Sequence, residues 1–243
     1  MPHPLHIGLI GGIGPAATVV YYQRLCKAMA GLPLQLTIVQ ADIHELIRNN
    51  LADKRAEQAA IYARLIDRLA AAGADCAAIT SLGGHFCFDE TAAISALPLV
   101  SAVAPLDAYF TAQGIGKIGL LGTRVVMRTR LYGQLIQTQA TALDDQIDSL
   151  GQLYQDVAVA GHCTDAARAT FFSAGRQMVE TKGAQAIVLA GTDLNLAFDG
   201  YDPGYPVIDA LDVHVGVLAD LASDRTSLAE VAARPDRTAR LQP

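Results

Sequence analysis

The sequence has few features that would tie it to a metal, a disulfide framework, a membrane or a nucleic acid. Its 243 residues include four cysteines, and none of them has the CxxC spacing that is typical of zinc and redox sites. No apolar run approaches the roughly 20 residues that a membrane-spanning helix needs. The formal net charge is −6, and the Lys and Arg residues form no basic run. We therefore expect no metal, no membrane and no nucleic acid as partners.

The two ends of the sequence give two further expectations. No basic region precedes the first apolar residues, so a secretory signal peptide is not expected. A cytoplasmic location follows as an expectation, with Cys26, Cys76, Cys87 and Cys163 as free thiols. The polar end RPDRTARLQP is expected to fray.

What the sequence does contain is a regular alternation of short apolar runs and longer amphipathic segments. Hydrophobic residues make up 51% of the chain and charged residues 17%, which is typical of a packed globular protein. The alternation predicts an α/β fold with mainly parallel sheets. The predicted strands are His6–Ile10, Leu36–Gln40, Ala77–Thr80, Leu99–Ser101, Lys117–Leu121, Ile187–Ala190, Val207–Ile208 and one near Thr141–Ile147. The predicted helices are Ala16–Ala30, Asp53–Ala72, Leu106–Gln113, Arg128–Gln139, Gly151–Ala160, Asp165–Lys182 and Asp212–Ala222.

An internal repeat divides the chain into two similar halves. IGLIG at Ile7, the Gly-Ala pair at Gly73 and the proline at Pro98 recur in the same order at offsets of 111, 110 and 108 residues. We expect one domain at residues 1–104 plus 210–243 and a second at 105–209. Ligands of open α/β sheets bind beyond the carboxyl ends of the strands, so a cleft between the halves is the expected site.

A glycine-rich turn follows the first predicted strand. Gly12, Gly14 and Ala17 match the G-x-G-x-x-A pattern of dinucleotide-binding proteins, and Asp42 ends the second strand. The same glycines could instead let any anion approach the N-terminus of the next helix. The equivalent turn of the second half, Gly122-Thr123-Arg124, lacks the pattern, so no nucleotide cofactor is expected.

Two further turns, TSLGGH at residues 80–85 and AGTD at residues 190–193, follow predicted strands. In the first turn, backbone N–H groups of Ser81, Gly83 and Gly84 could bind an anion, while His85 could either transfer a proton or only orient the loop. In the second, Asp193 could either cap its helix or act as a base. Hydroxyls of Thr123 and Thr192 could bind a carboxylate. Arg48 could clamp a second carboxylate or remain a solvated loop charge.

These motifs together resemble the aspartate/glutamate racemase family, which works without pyridoxal phosphate. GLIGGIGPAAT with Tyr21-Tyr22 is similar to its N-terminal signature, and ADIHE, LLGT, GAQ and PVID are similar to later motifs. The resemblance spans roughly Ile7 to Leu218. It implies two pseudo-symmetric α/β domains, a homodimer, no cofactor, and a small carboxylate or amino-acid ligand. Together with the turns above, it leads us to expect substrate-binding residues at Gly12, Ile13, Arg48, Leu82, Gly83, Thr123 and Thr192.

The catalytic positions depart from the family pattern. Ser81 and Gly191 stand where the family has its two cysteines, and Leu82 stands where it has an asparagine. A serine needs an adjacent base to act, and glycine has no side chain. We therefore expect isomerase-type proton transfer with altered groups, in which His85 and Asp193 take part. The alternatives are a catalytically impaired homologue that binds a small acid, and a lyase or decarboxylase.

Two other residues are candidates for a place at the site. Cys163 lies beside His162 at a predicted helix start, which would lower its pKa, and it is the first candidate for a substitute thiol. Tyr154 aligns loosely with a family position near the substrate.

Overall fold

The structure is a computed structural model that describes residues 4–12 and 14–233. The predicted substrate-binding residue Ile13 and the carboxyl-terminal segment RPDRTARLQP lie outside the described residues. The chain folds as two compact units. In the described part, the first unit contains residues 4–12, 18–102 and 214–233, and the second contains 14–17 and 103–213.

The first unit is built on a sheet with the strand order β2 (Gln35–Gln40), β1 (His6–Gly11), β3 (Cys76–Ile79), β4 (Leu99–Val100) and β9 (Ala232–Ala233). The first four of these strands are parallel, and the short β9 pairs antiparallel with β4. Its central strands β1 and β3 are almost fully buried, as expected for parallel strands covered on both faces by helices. The elements are β1 (His6–Gly11), α1 (Pro15–Ala28), β2 (Gln35–Gln40), α2 (Ile43–Leu51), α3 (Arg55–Ala71), β3 (Cys76–Ile79), α4 (Phe88–Ile94) and β4 (Leu99–Val100).

The second unit repeats this topology with the strand order β6-β5-β7-β8, all parallel. Its elements are α5 (Leu106–Ala112), β5 (Lys117–Gly122), α6 (Arg124–Thr129), β6 (Gln139–Thr141), α7 (Ile147–Ala160), α8 (Asp165–Lys182), β7 (Ala186–Ala190), α9 (Asn195–Phe198) and β8 (Val207–Asp209). The chain continues through α10 (Ala210–Ala222), α11 (Leu228–Val231) and β9 (Ala232–Ala233). The predicted fold class, two similar α/β halves with mainly parallel sheets, is confirmed.

The matching topologies give β3 and β7 the same place in their sheets. Each of these buried strands ends in a 3-10 turn, Gly83–Cys87 after β3 and Thr192–Leu194 after β7. The two polar turns singled out in the sequence therefore lie at carboxyl ends of central strands, where ligands of parallel sheets bind.

Most predicted elements are present, but the prediction between residues 123 and 147 is wrong. The helix predicted at Arg128–Gln139 is α6, which begins earlier because Thr123 caps it by accepting the N–H of Val126. It ends at Thr129 because Arg130, Leu131 and Tyr132 follow in the left-handed region, with φ values of 52°, 60° and 60°. The strand expected near Thr141–Ile147 is β6, which ends at Thr141.

Helix α2 was missed by the sequence reasoning. Asp42, interpreted only as the end of a strand, is its N-cap and accepts the N–H of Glu45. The helix places Arg48 in its last turn rather than in a loop. Within residues 4–12 and 14–233, the helices contain no apolar stretch of the length needed to span a lipid bilayer.

A buried polar pair joins α1 to α10 inside the first unit. The Tyr21 hydroxyl is hydrogen-bonded to Nδ1 of His214 at 2.8 Å, and the two rings meet edge to face with centroids 5.5 Å apart. Neither side chain is exposed. Burial is the main cause that lowers the pKa of His214 to about 3, so the imidazole is neutral in the folded protein.

We expect Tyr21→Phe to lower the free energy of unfolding by about 1–3 kcal/mol, because it leaves a buried imidazole nitrogen without its partner. The matched control is Tyr22→Phe, since Tyr22 is 50% exposed on the same helix. Urea denaturation of both variants measures the difference. Equal stabilities for the two would show that the Tyr21–His214 bond contributes nothing.

Candidate functional site

The turn after β3 is closed by hydrogen bonds of its own. The Gly84 N–H donates to the Ser81 carbonyl at 3.1 Å, and the Gly84 nitrogen also lies 3.3 Å from Ser81 Oγ. The N–H of His85 donates to the Leu82 carbonyl at 3.0 Å. The expectation that Gly84 presents its N–H to an anion is therefore wrong, because the turn already uses that donor. Ser81 is 2% exposed and its hydroxyl oxygen faces Gly84.

The geometry of His85 favours the second of the two roles that the sequence left open, orientation of the loop. Ala102 donates its N–H to Nε2 at 3.0 Å, so Nδ1 must carry the proton and donate to the Ser81 carbonyl at 2.8 Å. Burial lowers the pKa of His85 to about 4. Both ring nitrogens are occupied by backbone groups, and the ring stacks on Phe88. The imidazole thus ties the turn to the segment after β4.

Other side chains hold this turn from α2 and α3. Asn50 donates its amide N–H to the Gly83 carbonyl at 2.9 Å. Residue 84 must be glycine, because a Cβ there would lie 2.5 Å from the Tyr62 hydroxyl oxygen. Sequence reasoning missed Asn50, although the Asn49-Asn50 pair next to Arg48 is a signal that could have found it.

The predicted binding residues of the first unit differ in accessibility. Leu82 is fully buried, so its side chain belongs to the core and only its backbone is available to a ligand. Gly12 is buried, and a Cβ there would meet Cδ1 of Leu46 in α2. Arg48 is exposed on α2.

In the second unit, the ends of β5 and β7 meet. A Cβ on Gly122 would lie 2.5 Å from the Ala190 carbonyl oxygen, so glycine is required for this close approach. Thr123 after β5 and Thr192 after β7 are therefore brought to neighbouring strand ends. Thr192 is fully buried, and the Thr123 hydroxyl oxygen caps α6.

Asp193 caps a helix, but not the one that follows it. Its Oδ1 accepts the N–H of Ala17 in the first turn of α1 at 3.0 Å, and its Oδ2 accepts the Tyr154 hydroxyl proton at 3.2 Å. Gly14, at φ +79°, lies against the same carboxyl group, where any Cβ would collide. The glycine-rich turn therefore admits an anion to a helix N-terminus, and that anion is the protein's own carboxylate.

The Asp193 carboxyl group has no exposed surface. Burial raises its pKa to about 7, and the hydrogen bonds from Ala17 and Tyr154 oppose this rise. A carboxyl pKa in this range suits proton transfer near neutral pH.

Gly191 has no space for a side chain. A Cβ at this position would lie 2.8 Å from Cζ and 2.9 Å from Cδ2 of the Tyr154 ring. The aromatic ring, carried by α7, fills the volume next to the strand end. A cysteine at position 191 would require Tyr154 to move.

Three of the four cysteines have thiol pKa values raised above the ordinary value. All four are free. The expectation that the pKa of Cys163 is lowered is wrong, because burial raises it. Burial raises the pKa values of Cys76 and Cys87 to about 12. In the described part of the chain, no three His, Cys, Asp or Glu side chains cluster as a metal site requires.

Comparison with known proteins gives one consistent result. A family model described as Asp/Glu/hydantoin racemase matches residues 10–218. A proposed Asp/Glu racemase from Yersinia pestis is 24% identical with a TM-score of 0.76, covering 90% of this chain and 99% of its own. An aspartate racemase homologue from Pyrococcus horikoshii is 23% identical with a TM-score of 0.69, covering 90% and 99%. The aspartate racemase of Picrophilus torridus is 20% identical with a TM-score of 0.71, covering 97% and 98%. These likenesses confirm the expected racemase-like fold.

The neutral state of His85 predicts how acid affects stability. The pKa of His85 is about 4 in the folded protein, against an ordinary value of 6.5 in the unfolded chain. Its contribution to stability is therefore complete above pH 6.5 and is lost as the pH falls toward 4. Below pH 6.5 this loss amounts to about 1.4 kcal/mol per pH unit. Asp193, whose pKa is raised, acts in the opposite direction below about pH 7.

Because these contributions oppose each other, the test compares variants rather than absolute slopes. The free energy of unfolding, measured with urea between pH 4.5 and 6.5, should fall less steeply with acid in His85→Asn than in the wild type. The expected difference in slope is about 1.4 kcal/mol per pH unit. The exposed His162 provides the control variant His162→Asn, which should follow the wild type. An unchanged slope in His85→Asn would mean that folded His85 takes up a proton.

Crowding at Gly191 predicts that Gly191→Ala lowers the free energy of unfolding by about 1–3 kcal/mol, because the new methyl group overlaps the Tyr154 ring. Gly216 on α10 is the matched control, since a Cβ there meets nothing within 4 Å. Gly216→Ala should be neutral or stabilising, by up to about 1 kcal/mol. Urea denaturation decides, and a Gly191→Ala variant as stable as Gly216→Ala would contradict the overlap.

Proposed function

Because the chain belongs to the Asp/Glu/hydantoin racemase family, we propose that it is an isomerase that removes and returns the α-proton of a small amino or carboxylic acid. The resemblance further supports work without pyridoxal phosphate, as a homodimer, in the cytoplasm. The catalytic groups differ from two opposed thiols, since Ser81 and Gly191 occupy the positions that the resemblance assigns to cysteines.

One observation carries the proposal, namely the Asp193 carboxyl group at the end of β7. General acid–base catalysis is most effective when the pKa of the group lies near the working pH. Burial brings the pKa of Asp193 to about 7, and two hydrogen bonds fix its orientation. Gly191 has no titratable group. The Ser81 hydroxyl faces the N–H of Gly84, and the His85 ring that contacts the Ser81 carbonyl is held by Ala102. Asp193 is therefore the proposed base.

The substrate carboxylate would bind at the strand ends. Thr123 and Thr192 follow the neighbouring ends of β5 and β7, and we assign them to this carboxylate. Arg48, exposed in the last turn of α2, is assigned to a second carboxylate of a dicarboxylic substrate. Gly12, Gly83 and the backbone of Leu82 are further proposed substrate-binding positions.

A second candidate is a homologue that binds a small acid without turnover. The observation that favours it is the state of the first turn, where both nitrogens of His85 are engaged and Ser81 is almost fully buried. In that case, the turn after β3 would supply no proton for turnover.

The decisive measurement is deuterium incorporation at the α-carbon in D₂O, followed by NMR, with aspartate, glutamate and a hydantoin as candidate substrates. We expect exchange of at least one of them, at a rate that rises with pH through about 7 as Asp193 ionises. Asp193→Asn should lower the rate by about 100-fold or more, while the thermal shift caused by the acid remains. The exposed Asp145 provides the control variant Asp145→Asn.

The outcomes separate the alternatives. A thermal shift without exchange favours the binding homologue, and net loss of the substrate signal favours a lyase or decarboxylase. Full exchange in Asp193→Asn would remove Asp193 from the mechanism.

A further inference from the structure

Asn49 and Gln58 form a buried amide pair between α2 and α3. The side-chain N–H of Asn49 donates to Oε1 of Gln58 at 3.0 Å. Gln58 is 0% exposed and Asn49 is 8% exposed, so water hardly competes for this bond. The carbonyl of Asn49 also accepts the N–H of Lys54 at 2.9 Å. Because Lys54 and Gln58 are one helical turn apart at the start of α3, Asn49 is fixed to that helix at two points.

This pair is a costly way to pack two helices. Within the described part of the chain, Nε2 of Gln58 is one of three buried side-chain nitrogen or oxygen atoms that have no hydrogen-bond partner. A buried donor without a partner destabilises the folded state. Two apolar side chains of similar size would join the helices without that cost. Stability therefore does not explain the two amides, whereas the need for one defined position does.

The residues on either side of Asn49 belong to the part of the chain that the proposed function uses. Arg48, which we assign to a second carboxylate of the substrate, is exposed in the same last turn of α2. Asn50 donates its side-chain N–H to the Gly83 carbonyl, in the turn after β3, at 2.9 Å. A shift of Asn49 along α3 would therefore move Arg48 and would strain the bond between Asn50 and Gly83.

The same face of α3 also contacts the turn after β3. Tyr62 lies one helical turn after Gln58, and its hydroxyl oxygen would be 2.5 Å from a Cβ on Gly84. Helix α3 thus contacts α2 through Gln58 and the turn after β3 through Tyr62. The bond between Asn49 and Gln58 therefore sets where the last turn of α2 lies relative to that turn.

We propose that Gln58 is a positioning residue, which acts through Asn49 to hold Arg48 at the distance from the turn after β3 that a bound dicarboxylic acid requires. The inference rests on the proposed function, because it takes Arg48 as the group that binds the second carboxylate. A hydrogen bond between two amides has a preferred length and direction, whereas apolar contacts tolerate several packings. A bidentate pair of an arginine with a carboxylate needs such alignment. Gln58 thus contributes to affinity without touching the substrate.

The test replaces both amides with apolar side chains, in the double variant Asn49→Leu with Gln58→Met. We expect its urea midpoint to equal or exceed that of the wild type, because the unpaired donor is removed together with the pair. The dissociation constant for aspartate or glutamate, measured by isothermal titration calorimetry, should rise by about 10-fold or more. In α-deuterium exchange, KM should rise by the same factor while kcat is unchanged.

Two controls separate positioning from a general effect on the fold. The double variant Gln146→Met with Gln177→Met removes an exposed amide pair, joined at 3.1 Å in the second unit, and should bind the acids as the wild type does. The second control is made in an Arg48→Gln background. There, the change of Asn49 and Gln58 should weaken binding no further, because the residue through which the pair acts is already gone.

The outcomes distinguish this inference from the proposed function. Wild-type affinity in the Asn49 and Gln58 double variant, or a loss of affinity that persists in the Arg48→Gln background, would overturn positioning and leave the proposed function intact. A double variant less stable than the wild type would assign the pair to folding and would also overturn positioning. Binding without exchange in the wild type, with the loss of affinity in the double variant, would support positioning and overturn the isomerase. If the wild type binds neither aspartate nor glutamate, positioning is overturned, and exchange of a hydantoin decides the proposed function.

Discussion

The interaction on which the candidate site depends is the burial of one carboxyl group against the N-terminus of α1. Taking a carboxylate out of water is costly unless hydrogen bonds replace its hydration. Here the N–H of Ala17 and the hydroxyl of Tyr154 provide them, from segments 176 and 39 residues away in the chain. Gly14 allows the close approach, and Gly191 leaves room for the tyrosine ring. The pKa of Asp193, raised to about 7, follows from this arrangement, and so does its suitability for acid–base chemistry.

The two units share a topology but use the corresponding strand end differently. After β3, the polar side chains form structural hydrogen bonds. His85 is bonded to the backbone of Ser81 and Ala102, and Asn50 donates to the Gly83 carbonyl. After β7, a titratable carboxyl group and a phenol remain joined in a dry environment. The proton chemistry that we propose is therefore concentrated in the second unit.

The fold was largely predictable because strand and helix signals are local. Apolar runs such as Ala186–Ala190, and an amphipathic segment with a threonine cap and a terminal glycine such as Asp165–Lys182, carry their own boundaries. The prediction for the region after Thr123 was wrong for a local reason as well. Thr123 was interpreted only as a ligand-binding hydroxyl, although it caps α6. Arg130, Leu131 and Tyr132 are residue types that do not indicate a left-handed turn. Helix α2 was missed because it is only nine residues long and Asp42 was not recognised as its cap.

The sequence by itself determined the alternation of strands and helices, the repeat, the family and the position of the polar turns, because each depends on residue types at short spacing. Only the tertiary structure decided what those turns do. The proton position on His85 depends on Ala102, the pKa of Asp193 on burial beneath α1, and the space at Gly191 on a ring from α7. These contacts join segments 17 to 176 residues apart, and their energies come from excluding water and matching donors to acceptors in three dimensions. No pattern along the chain encodes them at short range.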